Sequence, residues 1–136
     1  MNSRLVKLSV LSALVLLVIP TAFATTYNAI AITTNGTAFT AGQTLVVTGT
    51  TLDKPYPSTV VVDVFYFNPN AGFYIFGHYT GEWVPTQFIV GVNSNGQFTT
   101  SYVLPNNGFT QWYTSAWYST SHNFYESNAV SFSVVD

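Results

Sequence analysis

The sequence predicts an all-β protein, an antiparallel sandwich of about eight strands behind a helical N-terminal export segment. Three observations on the chain beyond residue 24 carry that prediction. Apolar residues there recur with a period of two, the spacing that puts successive side chains on opposite faces of a sheet. Turn-forming pairs punctuate the runs at close to the roughly 8–12 residues that short antiparallel strands need. No stretch after residue 24 carries a helical stripe.

The first element is "MNSRLVKLSVLSALVLLVIPTAFA". Arg4 and Lys7 form a basic lead, and Leu8–Ile19 is apolar apart from Ser9 and Ser12. Pro20 then ends the run, and Ala22-Phe23-Ala24 is a small-x-small triplet. A basic lead, an apolar run and a small-residue site together form an export signal. The run is shorter than the roughly 18–20 apolar residues that a membrane span needs. Residues 1–24 are therefore expected to be a signal peptide, cut between Ala24 and Thr25. Residues 25–136 are expected to form one secreted domain, extracellular or on the cell surface, with no span left after signal removal.

The strands follow in order. Tyr27–Thr33 alternates Ile30 and Ile32 with Ala29 and Ala31, and Thr44–Leu52 places Leu45, Val47 and Gly49 on one face. Thr59–Phe67 turns Val60, Val62, Val64 and Tyr66 inward, leaving Val61, Asp63, Phe65 and Phe67 on the other face. An aromatic insert, 71–88, holds a further strand at Tyr74–Thr80 and leads into Thr86–Val92, which alternates Phe88, Val90 and Val92. Gln97–Leu104 alternates Phe98, Thr100, Tyr102 and Leu104. Gln111–Tyr118 sets Trp112 and Ala116 inward, and Ala129–Val135 sets Val130, Phe132 and Val134 against Ser131 and Ser133. β-Branched and aromatic residues dominate these runs, as a pleated, half-buried surface favours.

Asn35-Gly36, Ala41-Gly42, Lys54-Pro55-Tyr56-Pro57, Asn68–Gly72, Asn95-Gly96 and Asn107-Gly108 supply the turns. Asn-Gly tolerates the positive φ that tight turns require. The stretch "NSNGQFTTSYVLP" (93–105) accordingly reads as a hairpin turn running into a strand.

Four segments, "TAGQTLVVTGT" (40–50), "TVVVDVFYFNPNAG" (59–72), "VNSNGQFTTSYVLP" (92–105) and "AVSFSVV" (129–135), resemble a bacterial- or archaeal-type immunoglobulin-like module. The resemblance rests on a G-x-x-hydrophobic opening strand and a mid-domain N-x-N-G turn, in the same order over nearly the whole mature chain. It implies an immunoglobulin-like sandwich of about eight strands. Modules of that family serve as spacers, adhesins and pilus subunits, and they bring no catalytic residues with them. The 71–88 insert is longer than the usual link at that point.

Charge narrows the function classes. Once the signal is removed, Lys54 is the only Lys or Arg, against Asp53, Asp63, Glu82, Glu126 and Asp136. A nucleic-acid surface needs several cations on phosphates, so nucleic acid is excluded as a partner on this reading. Thr, Ser, Asn, Gln and Tyr solvate the exterior instead. With no cysteine there is neither a disulfide framework nor thiol chemistry, and stability must come from aromatic and β-branched burial.

His78 and His122 each have a Glu four residues downstream, at Glu82 and Glu126. That spacing aligns side chains on a helix and not on a strand, so both histidines are expected in solvent and no metal site is expected. The sequence holds no nucleophile-elbow, P-loop or dinucleotide motif. An enzyme and a cofactor are not expected. Asn35-Gly36-Thr37 is the one glycosylation sequon.

The aromatics point to interaction. Phe65, Phe67, Tyr113 and Trp117 are expected to face outward on neighbouring strands, a contiguous patch of the kind a monomer seldom exposes without use. Ile30 and Ile32 lie on a terminal strand before the Asn35-Gly36 hinge, which suits donation to a neighbouring subunit. Trp83, Trp112 and Trp117 offer a possible sugar platform. The leading reading is a non-enzymatic structural subunit that self-associates into a pilus-like filament or a surface coat, with itself or other surface proteins as partner. The alternative is a secreted monomeric adhesion module for a glycan or a surface receptor.

Overall fold

Alternation sets the local structure. The computed structural model of the chain describes the backbone of residues 24–136 and the side chains from Asn28 onward. The expected signal segment, 1–23, lies outside the described residues. Every regular element among the described residues is a strand. Strand β1 is Ala24–Thr34, β2 Ala38–Thr40, β3 Thr44–Thr51 and β4 Thr59–Asn68. After a small hairpin of β5 (Tyr74–Ile75) and β6 (His78–Tyr79) come β7 (Glu82–Gly91), β8 (Gln97–Val103) and β9 (Gln111–Ser119). Two short strands close the chain, β10 (Asn123–Ser127) and β11 (Val130–Val135).

One ladder is built on β9. It runs antiparallel to β4, with Ala116 opposite Val62 and Thr114 opposite Val64. On the far side of β4, β7 pairs over its full length, from Thr59 opposite Gly91 to Asn68 opposite Glu82. The other edge of β9 is shared, β11 lying along Gln111–Thr114 and β10 along Trp117–Ser119. Between β10 and β11 the chain breaks step at Asn128. The Asn128 side-chain amide accepts from Ile32 N (2.9 Å) and donates to Ile32 O (3.1 Å), standing in for a strand's backbone.

The second ladder is antiparallel, β1 with β3 and β3 with β8. Strand β1 belongs to both ladders. Its first residues run parallel to β10, Thr25 opposite Phe124, and its last five, Ile30–Thr34, pair with β3. The register shifts between these two halves, and Asn28 there takes a positive φ of 59°. β2 then runs parallel to β11. The sheet is thus mixed, where a purely antiparallel one was expected.

Both ladders feed one core. Ile30, Ile32, Leu45, Val47 and Phe98 come from the second, and Val60, Val62, Val64, Trp112 and Ala116 from the first. Phe132 of β11 packs on Trp112 at 5.9 Å and meets Phe39 of β2 edge-on at 5.5 Å. Each such Val, Leu, Ile or Phe side chain contributes about 1.5–3 kcal/mol on full burial. In a chain without cysteine that burial replaces the disulfides of many small exported domains.

Several expectations are corrected here. The 93–96 turn is present, with Gly96 at φ 81° and Asn93 Oδ1 accepting from Asn95 N and Gln97 N. It is not a hairpin, because β7 pairs with β4 and β8 with β3. The turn carries the chain between ladders, and the rings of Phe88 and Tyr102 meet across the gap, at 5.4 Å. Gly96 O is the anchor, accepting from Thr51 N (2.7 Å) and Thr51 Oγ1 (3.0 Å). Tyr74–Thr80 is not one strand, since Phe76 and Gly77 both take positive φ and fold it into β5 and β6. β2 and β10 were not expected, being short and irregular in pattern. Clean alternation in β1 also fails: Ala29 is buried beside Ile30, because the register shift turns two consecutive side chains inward.

Candidate functional site

The outer face of the β4–β9–β10 ladder collects the aromatics. Because Val62, Val64, Trp112 and Ala116 point into the core, the intervening residues of β4 and β9 must point away from it. Phe65 stacks on Tyr113 at 4.5 Å, Trp83 of β7 packs edge-on against Tyr113 at 4.8 Å, and Phe67 tilts against Trp83 at 5.1 Å. Further along, Trp117 of β9 stacks on Phe124 of β10 at 5.3 Å. Phe65, Phe67 and Tyr113 are joined through Trp83, and Trp117 lies further along the same face. They are half-buried by their own neighbours, and so do not form the open apolar patch that alternation suggested.

At the centre of this face lies Asp63. Its side chain is only 5% exposed. Trp117 Nε1 donates to Asp63 Oδ2 at 2.9 Å, while Oδ1 is buried with no hydrogen-bond partner. Lys54, the one Lys or Arg among the described residues, sits 5.9 Å over the ring of Tyr56 in the loop before β4. Asp63 was read from sequence as one of five scattered acids. The signal available was its position, a lone carboxylate inside the apolar run "TVVVDVFYF".

Beside Asp63 opens a groove of about 400 Å³, lined by Tyr113, Trp117, Phe124, Glu126 and Ser127 among others. Asp63 and Glu126 thus share one groove although 63 positions separate them in sequence. Burial raises the pKa of the Tyr113 phenol, and the negative charges of Asp63 and then Glu126 raise it further. Serine shapes the floor: Ser127 Oγ accepts from Ala116 N at 2.8 Å and donates to Asn128 O at 2.6 Å, which stabilises the break between β10 and β11. A second concavity of about 460 Å³ lies on the other side of Trp117, lined by Pro55–Thr59 and Tyr118–Thr120, with no charged residue in its wall.

The other expected site residues are dispersed. Ile30 and Ile32 are buried in the chain's own core, because β3 already pairs with that half of β1. In the folded chain they are self-paired and offer no exposed surface. Trp112 is 2% exposed and donates to Phe109 O at 2.8 Å, so it cannot share a sugar platform with Trp83 and Trp117 on the opposite face. Asn35 is exposed, but its amide is in use, donating to Thr44 O (3.0 Å) and accepting from Val46 N (2.8 Å). His78 and His122 are exposed. Among the described residues no group of three or more His, Cys, Asp or Glu comes together. Ala24 and Thr25, flanking the expected cut, are described only by backbone pairing with Asn123 and Phe124.

No family model matches the chain. No curated protein matches its sequence. A solved structure to which it is similar is the alkylpurine DNA glycosylase AlkC of Pseudomonas fluorescens, bound to DNA containing an abasic site analog. The likeness has 11% identity and a TM-score of 0.38, covering 80% of this chain and 31% of that one. This chain thus spans less than a third of that protein, and at such a score the likeness transfers neither fold nor activity. The expectation that this chain is not an enzyme has no support in these comparisons and is withdrawn. The physical ground for that expectation was the absence of a local motif. Carboxylates far apart in sequence line one groove here.

Proposed function

We propose that the chain is an extracellular subunit with an immunoglobulin-like β-sandwich, which self-associates into a filament or surface coat. The sandwich reading is supported by two ladders, β7-β4-β9-β10/β11 and β1-β3-β8, sharing one core. Export is supported by the basic lead, apolar run and small-residue site of the first 24 residues.

One observation carries self-association. The β5–β6 hairpin projects an aromatic tip, with Phe73 80% and Phe76 96% exposed, and Tyr74, Ile75 and Tyr79 exposed beside them. Adjacent to it, β7 is an edge strand of ten residues with Ile89 outward. An unpaired edge with apolar side chains is a template for another chain. Little charge opposes such contact, the described residues carrying one Lys and five acids. Strand exchange is a second route to the same assembly. In the folded chain β1 pairs with its own β3 and β10, and exchange would transfer those same pairings to a neighbour.

Light scattering coupled to size exclusion, with electron microscopy, tests the reading on the exported protein. Polymers or large oligomers are expected, reduced to monomers by Phe73→Ser with Phe76→Ser. Deleting residues 25–34 instead removes polymers if β1 is exchanged. A wild-type chain that stays monomeric at every concentration overturns the proposal. The alternative, a monomeric binding module for a glycan or surface receptor, is favoured by the Asp63–Glu126 groove.

A further inference from the structure

Asp63 presents a problem that the fold does not solve. A carboxylate out of water needs its oxygens satisfied, and an orphaned one carries an uncompensated desolvation cost. Trp117 satisfies Oδ2, and Oδ1 has no partner. Among the described residues there is no Arg and the one Lys lies over Tyr56, so they supply no Lys or Arg to this face. Glu126 adds a second negative charge to the same groove, which Tyr113 also lines. The aromatic wall is rigid, since Trp117 is held at one end by its bond to Asp63 and across its face by Phe124.

Negative carboxylates beside indole and phenyl faces form the environment that stabilises an organic cation, through charge and through the ring quadrupoles. A metal ion would need more oxygen or nitrogen ligands than two carboxylates supply, and no group of three or more such residues occurs among the described residues. A neutral sugar would find aromatic faces, but it would leave two negative charges uncompensated. We propose that this groove binds an organic ammonium group, such as a lysine side chain of a partner or a free amine, against the wall formed by the stacked Trp117 and Phe124 with the Asp63 carboxylate as its counter-charge. The inference does not depend on self-association. It uses β4, β9 and β10, and not the aromatic tip.

The test is a titration of the whole exported chain, read by calorimetry and by tryptophan fluorescence, with three probes. These are Nα-acetyl-lysine amide, its neutral counterpart Nα-acetyl-norleucine amide, and methyl β-glucoside. Saturable binding of the lysine probe alone is expected, weakening as salt is added. Asp63→Asn keeps an acceptor for Trp117 and removes the charge, and should weaken binding about tenfold or more. Phe124→Ala should weaken it about two- to fivefold. If Asp63→Asn fails to fold, Glu126→Gln on the groove wall carries the same test, with weaker binding expected. The inference is overturned if no probe binds, if the norleucine probe or the glucoside binds as well as the lysine probe, or if both charge-removing variants bind unchanged.

Discussion

Gly49 lies in the middle of β3, directly opposite Phe98 of β8, and the Phe98 ring covers it where any other residue would have a side chain. A Cβ built on Gly49 falls 2.6 Å from Phe98 Cε1 and 2.7 Å from Cε2, with Cζ nearer still. Contacts below 3.0 Å do not persist, so the ring must move, and Phe98 is only 4% exposed within the core. Forcing an added methyl into a packed core costs about 1–3 kcal/mol, and loss of the ring's native seat places Gly49→Ala at the upper end. For a domain of roughly 110 residues, 2–3 kcal/mol corresponds to a fall in melting temperature of about 8–12 °C. Glycine is otherwise unfavourable in a strand, so without the Phe98 clash the same change would be neutral or stabilising. Thermal unfolding by circular dichroism decides the sign. A double-mutant cycle sharpens it: in a Phe98→Leu background, Gly49→Ala should cost under about 1 kcal/mol, because the obstructing ring is gone. A Gly49→Ala variant that melts at or above the wild-type temperature would refute the packing argument.

Three further outcomes are expected. Val62→Asp places a carboxylate at a position with no solvent exposure and should cost several kcal/mol, about 3 or more, whereas Ser131→Asp on the exposed face should cost under about 0.5; equal melting temperatures would mean the register is wrong. Trp117→Phe removes the one side-chain partner of the Asp63 carboxylate among the described residues and should cost about 1–3 kcal/mol, with Asp63→Asn in the same background recovering part of the loss. Tyr118 has its pKa raised by burial, then by Tyr125, on which it stacks at 4.6 Å, and by Asp53. A raised phenol favours the neutral form in the folded state, so its contribution is complete below the ordinary tyrosine value near 10 and is lost as pH rises through the folded value. Alkaline melts above about pH 10 should therefore fall less steeply for Tyr118→Phe than for the wild type.

Period-two alternation made the all-β class and the core faces of β3, β4, β8 and β9 legible in sequence. A strand with one buried face repeats its apolar residues every second position whatever its partner. Val60, Val62, Val64 and Trp112 were placed inward on that ground, and they are buried. The same logic put Phe65, Phe67, Tyr113 and Trp117 on one outer face. What alternation cannot supply is which strand lies beside which. The Asn95-Gly96 turn looked like a hairpin because a turn is local, and only pairing across the whole chain sends β7 to β4 and β8 to β3.

The candidate site was less legible for the same reason. Asp63 looked like a solvent-facing residue on an outer strand face, since sequence shows the face and not what packs over it. Its burial depends on Trp117 lying across it from β9, 54 residues away. Glu126 joins the groove only because β10 pairs beside β9, with Glu126 opposite Trp117, in a strand too short to be read from its pattern. Sequence by itself determined the strand class, the core faces, the low charge and the lack of cysteine, all of which are properties of residues and their immediate neighbours. Only the tertiary structure decided that a carboxylate would be buried with one oxygen unpaired beside a second carboxylate, because burial and electrostatic environment are set by groups distant in the chain.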